Sequence, residues 1–106
     1  MKFLYAALAL AVSLNAAGVE GTYTGVITDT ICGAKHGMKG HSDADCVKMC
    51  AKGSGQYALF DGQNVITLSD QKTPAKFPAQ KVKVVGVYDA KKQTITVRSI
   101  EPASEK

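Results

Sequence analysis

The sequence predicts a mainly β fold: a small five-stranded OB-like (or SH3-like) barrel with one short helix inserted after the first strand. Runs rich in β-branched and aromatic residues recur between residues 21 and 100, separated by turn residues. One stretch with helical start and stop signals lies between the first two of these runs. The order is one strand, a hairpin, a crossing connection and a second hairpin, which suits a small, partly open barrel of OB type.

The chain has 106 residues and opens on a leader pattern. Lys2 supplies a positive charge, Phe3 to Leu14 is apolar except for Ser13, and Asn15-Ala16-Ala17-Gly18 offers small residues for cleavage. Residues 1–17 therefore read as a signal peptide and 18–106 as a single small domain, periplasmic or secreted. The apolar run falls short of the roughly 20 residues that span a bilayer, and no later segment is apolar enough, so stable membrane insertion is not expected. Without the leader, 12 basic residues stand against 9 acidic ones, a formal +3. Lysines alternate with acids instead of forming a phosphate-tracking stripe, which with export argues against a nucleic-acid partner.

In the mature chain, Gly21 to Ile31 reads as the first strand, with Gly25 as a candidate bulge. Gly33, Gly37 and Gly40 make residues 32–41 a loop. Ser42 followed by Asp45 resembles a capping box and Gly53 a stop, giving a helix over residues 43–52. Tyr57 to Phe60 and Val65 to Leu68 flank Asp61-Gly62-Gln63-Asn64, a hairpin turn signal. Residues 69–80 contain Pro74 and Pro78 and form a connection with room for a helical turn. Lys81 to Asp89 and Thr94 to Ile100 make the second hairpin. In its first strand the inward set is expected to shift from Val82 and Val84 to Val85 and Val87 beside Gly86, as at a bulge. A polar, frayed tail is expected from Glu101.

The candidate site is Cys32 to Cys50, which holds all three cysteines, both histidines and two of the three methionines. Cys46 and Cys50 are four apart on one helix face, with β-carbons about 5 to 6 Å apart, too far for an unstrained disulfide. Two thiolates on one zinc need only lie a little under 4 Å apart. Cys32, at the end of the first strand, offers a third thiolate and His36 a fourth ligand. His41 abuts the helix cap and is the weaker histidine. Three thiolates with an imidazole suit zinc, whereas thiolates with Met38 or Met49 suit Cu(I); Met49, at helical spacing, reads as a core side chain. Exported cysteines also tend to pair, and Cys32 bonded to Cys46 or Cys50 would leave an odd thiol. Asp29, beside the cluster, reads first as a strand-end acid and second as a supporting partner.

Catalytic readings are weaker: a Cys with a nearby His offers a nucleophile and a base, which keeps a thiol-dependent enzyme as a third reading. No third group or oxyanion-hole motif accompanies a Cys–His pair, and neither C-x-x-C nor C-x-x-C-H occurs. The runs T-G-V-I-T-D-T-I-C-G-A-K-H-G-M, D-A-D-C-V-K-M-C-A-K-G-S-G-Q-Y-A-L-F-D-G and K-V-K-V-V-G-V-Y-D resemble a family of small exported bacterial proteins of unknown function, in which a C…H…C-x3-C segment precedes an OB-like barrel. The resemblance covers the mature chain, with Cys32, His36, Cys46 and Cys50 at its distinctive positions. It implies that the cysteine–histidine cluster belongs to the design, and no substrate. The expectation is a non-enzymatic exported barrel whose Cys32, His36, Cys46 and Cys50 form a metal-binding (Zn or Cu) or redox-sensitive centre, with an unidentified protein or small ligand as partner. Its alternative is a disulfide-stapled module that recognises a protein or glycan, with the cysteines structural only.

Overall fold

The computed structural model describes residues 18–33 and 42–103. Five strands, β1 (Val19–Asp29), β2 (Tyr57–Phe60), β3 (Val65–Leu68), β4 (Lys81–Asp89) and β5 (Thr94–Pro102), close into a barrel in the order β1-β2-β3-β5-β4. One helix, α1 (Asp43–Lys52), follows β1, and a 3-10 turn at Thr73–Lys76 occupies the connection between β3 and β4. The barrel is closed rather than partly open. Among the described residues, no helix is long and apolar enough to cross a membrane.

β1 holds the barrel together by serving two neighbours. Its first part, Val19 to Val26, pairs with β4, and Val26 to Asp29 pairs with β2. The β1–β4 register runs unbroken through Gly25, so Gly25 is not a bulge. Instead, a Cβ there would strike the carbonyl oxygen of Phe60, where β1 passes from one partner to the other. The seam between β3 and β5 is short and parallel. Thr67 N–H donates to Gln93 O at 3.0 Å and Ser69 N–H to Ile95 O at 3.0 Å, while Ser69 Oγ accepts from Val97 N–H at 2.8 Å. This parallel closure joins segments far apart in sequence, and only a crossing connection can place them side by side.

The second hairpin does contain an irregularity at Gly86, but the extra residue lies on the other strand. Val85 pairs with Ser99 and Gly86 with Val97, leaving Arg98 unmatched. β4 keeps its phase, with Val82, Val84 and Gly86 buried, whereas the inward set of β5 steps from Val97 to Ile100 across the bulge. Gly86 is required because a side chain would run into the Thr96 carbonyl of the partner strand. Arg98, released to the outside, pairs with Glu20 at 2.7 Å, an exposed contact of little energetic weight. β5 also extends past residue 100. Glu101 and Pro102 pair with Lys83 and Val82, so the expected fraying does not begin at Glu101.

The core consists of Ile27, Leu59, Ile66, Leu68, Val82, Val84 and Ile95 from the strands, with Tyr57 at the start of β2 and Val47 from α1. Val47, with Ala51 packed against the same core, seats the helix on the barrel, and burial of Val47 contributes on the order of 2 kcal/mol. α1 starts as its sequence dictates: Ser42 Oγ accepts from Asp45 N–H at 3.1 Å, and Asp43 and Asp45 complement the helix dipole.

Candidate metal centre

The first four strands end in the same way. An aspartate at or just beyond the strand end accepts two backbone N–H groups through one carboxylate oxygen, folding the chain into a turn. Asp29 Oδ1 takes Ile31 and Cys32 at 2.9 and 2.7 Å, and Asp61 Oδ1 takes Gln63 and Asn64, both at 2.8 Å. Asp70 Oδ1 takes Lys72 and Thr73 at 2.9 and 3.0 Å, and Asp89 Oδ1 takes Lys91 and Lys92 at 3.0 and 3.3 Å. Asp29 differs from the other three in being fully buried. It ends β1 two residues before the sequence suggests, and it holds Cys32 by its backbone.

A second set of bonds brings Cys50 to Cys32. Thr30 N–H donates to Gln56 O at 2.9 Å, and Gln56 N–H donates to Thr30 Oγ1 at 3.0 Å, joining the turn after β1 to the segment entering β2. The Cys50 carbonyl accepts Gly53 and Gly55 N–H groups at 3.2 and 3.0 Å, which fixes the end of α1 against the same segment. Gly55 fits there because a Cβ would lie 2.9 Å from the Cys50 carbonyl and 3.0 Å from the Ile31 side chain. Thr28 Oγ1 donates to Gly33 O at 2.6 Å and Gly33 N–H to Asp29 O at 3.0 Å, closing the turn around Cys32.

Cys32 Sγ and Cys50 Sγ are consequently 3.5 Å apart, and with Asp29 they form a group whose ligand atoms all lie within 4.8 Å of one another. Two sulfurs on one tetrahedral zinc, each bonded at ~2.3 Å, are separated by about 3.8 Å, so the observed spacing needs little change to accept an ion. Without a cation the site favours protons. The hydrogen bond with Cys50 is the largest cause pushing the Cys32 thiol up to about 12, followed by burial, the Asp29 carboxylate and the neighbouring thiols of Cys50 and Cys46. Metal binding must therefore displace a proton from Cys32.

Of the four residues singled out in the sequence, Cys32 and Cys50 meet. Cys46 lies one helical turn earlier, 1% exposed, and does not belong to the three-residue group. Cys46 shares the buried side of α1 with Val47, while Cys50 is only half-buried, so the i, i+4 spacing alone does not make them a pair of ligands. His36, together with His41 and Met38, lies outside the described residues. Met49, read as a core side chain, is in fact exposed beside Cys50. Asp29 is the strand-end acid that its position suggests and also the third member of the group, the second role the sequence offered for it. Its signal was present, a carboxylate three residues before a cysteine at a strand end, but a strand-end acid and a buried turn-forming acid look the same in sequence.

Comparison with protein-family models, with curated proteins and with solved structures found no match. The functional reading accordingly rests on the Asp29, Cys32 and Cys50 geometry.

Proposed function

We propose that this chain is an exported, non-enzymatic β-barrel that holds one zinc ion through Cys32 and Cys50, with the Asp29 carboxylate and His36 completing the ligand set. The observation that carries the proposal is the convergence of two thiols and a carboxylate from the end of β1, the following turn and the last turn of α1. Three groups that are anionic when deprotonated, at least partly withdrawn from water, repel one another unless a cation or protons intervene. Mixed sulfur and oxygen donors favour zinc over Cu(I), which selects soft ligands alone. His36, four residues beyond Cys32, is the nearest imidazole in sequence.

The non-enzymatic part is supported by the sequence, in which no third group or oxyanion-hole motif accompanies a Cys–His pair. Export is supported by the leader pattern of residues 1–17. The test is zinc competition against a chromogenic chelator with the wild type and the Cys32→Ser, Cys50→Ser and His36→Ala variants. The proposal expects one site per chain that is lost in both serine variants and weakened in His36→Ala. Equal zinc uptake by the wild type and the two serine variants would overturn it.

A further inference from the structure

We propose that the Cys32–Cys50 pair is a reversible thiol–disulfide switch on this centre, through which a small-molecule or protein disulfide oxidises the pair and expels the bound zinc. The expulsion step rests on the metal reading given above; the oxidation step rests on geometry alone.

Three features of the structure point to it. The two sulfurs are already 3.5 Å apart, so a bond requires them to close by about 1.5 Å, within reach of side-chain rotation. The backbone on both sides is fixed independently of the sulfurs, by Asp29 Oδ1 on the Cys32 side and by the Gly53 and Gly55 N–H groups on the Cys50 side. Both cysteines are half-buried and thus open to an oxidant, whereas Cys46 is buried and does not compete for the bond. The odd cysteine, which in an exported chain raises the question of an intermolecular bridge, is answered by burial.

The reaction balances as follows. One zinc-bound thiolate attacks the external disulfide, whose S–S bond breaks and releases one thiolate. The second cysteine sulfur attacks the mixed disulfide, releasing the other thiolate and forming the Cys32–Cys50 bond. The pair loses two electrons, the external disulfide gains two, and its two thiolates take up two protons from water. Zinc leaves because neither disulfide sulfur retains the thiolate charge that ligates it. An external dithiol reverses the sequence and restores the site.

The test uses the full chain, loaded with one equivalent of zinc and run beside the metal-free chain, both exposed to oxidised glutathione. Zinc release to a chromogenic chelator, intact mass and mapping of alkylated cysteines after denaturation are the readouts. The proposal expects stoichiometric zinc release, a loss of about 2 Da from the metal-free polypeptide as two thiol hydrogens leave, alkylation at Cys46 only, and recovery of zinc binding after dithiothreitol. A persistent glutathione adduct without a Cys32–Cys50 bond, or zinc binding by a pair that stays reduced, overturns the switch. Oxidation of the pair in a chain that takes up no zinc upholds the oxidation step and overturns the metal reading, which keeps the two failures distinct.

Discussion

Replacing Asp29 separates the two tasks assigned to it. Its Oδ1 accepts the Ile31 and Cys32 N–H groups, and the side chain is fully buried. Hydrogen bonds to a charged acceptor are worth roughly 1.5–3 kcal/mol each, so Asp29→Ala is expected to cost about 3 kcal/mol or more. At roughly 4–8 °C per kcal/mol for a domain of this size, the melting temperature should fall by about 12–24 °C. Asp29→Asn keeps an oxygen acceptor for both N–H groups and removes the charge, so its cost in stability should be smaller, about 1–2 kcal/mol. Its zinc affinity should nevertheless drop by roughly 10- to 100-fold, the usual effect of losing a group that sets the charge and orientation of a metal site. Urea unfolding followed by circular dichroism measures the first quantity and chelator competition the second. An Asn variant that binds zinc within twofold of wild type would reduce Asp29 to a turn residue. An Ala variant as stable as wild type would refute the turn argument itself.

Other expectations follow from the same bonds. The Gln71 side chain acts as a missing strand partner: Oε1 accepts from Tyr57 N–H at 2.7 Å, and Nε2 donates to Tyr57 O and Leu68 O at 3.0 and 2.8 Å. Gln71→Ala should cost about 3 kcal/mol in urea unfolding, and Gln71→Glu no less, because it faces two carbonyls with an acceptor; a tolerated Glu would contradict this. Cys46→Ala should lower stability by about 1–2 kcal/mol through lost core packing and leave zinc affinity unchanged, and loss of zinc would make Cys46 a ligand after all. The Asp61 carboxyl is held below its usual range by the Asn64 and Gln63 N–H groups. Burial pushes Asp70 up, but the Thr73 hydroxyl and the Thr73 and Lys72 N–H groups outweigh it and the net shift is also downward. Both groups bind protons more readily when unfolded, so the stability they add is fully present above the unfolded carboxylate pKa of about 3.9 and is lost as pH falls through their folded values. Unfolding midpoints should stay level from about pH 7 to 5 and drop below about pH 4, and Asp61→Asn should flatten that drop; an unchanged slope would exclude Asp61 as a contributor.

Local signals accounted for most of the element boundaries. Ser42 and Gly53 mark α1 to the residue, and Asp61-Gly62 and Pro74 mark the first hairpin and the 3-10 turn, because caps and turns are chosen by adjacent side chains. The departures share a non-local cause. The end of β1 is set by a buried carboxylate, the phase change of the second hairpin falls on Arg98, which is unmatched across from the Val85–Gly86 step, and β5 extends to Pro102 because β4 offers partners for Glu101 and Pro102. The parallel closure of β3 on β5 leaves no trace in either segment alone. At the candidate site, the Cys32–Cys50 pair was legible as a possibility from spacing. Cys46 and Cys50 share one face of α1, so the choice of Cys50 depended on the turn after β1 meeting the last turn of the helix and not the one before it. Asp29 entered the group only once the turn after β1 was in place.

The measurement closest to the central claim is metal content by elemental analysis of the full chain purified without chelators, with thiols counted under denaturing conditions before and after metal removal. A zinc centre on Cys32 and Cys50 predicts about one zinc per chain and three recovered thiols, with chelation lowering the unfolding midpoint. A metal-free chain that takes up no zinc even when fully reduced, with its unfolding unchanged by added zinc, would contradict it.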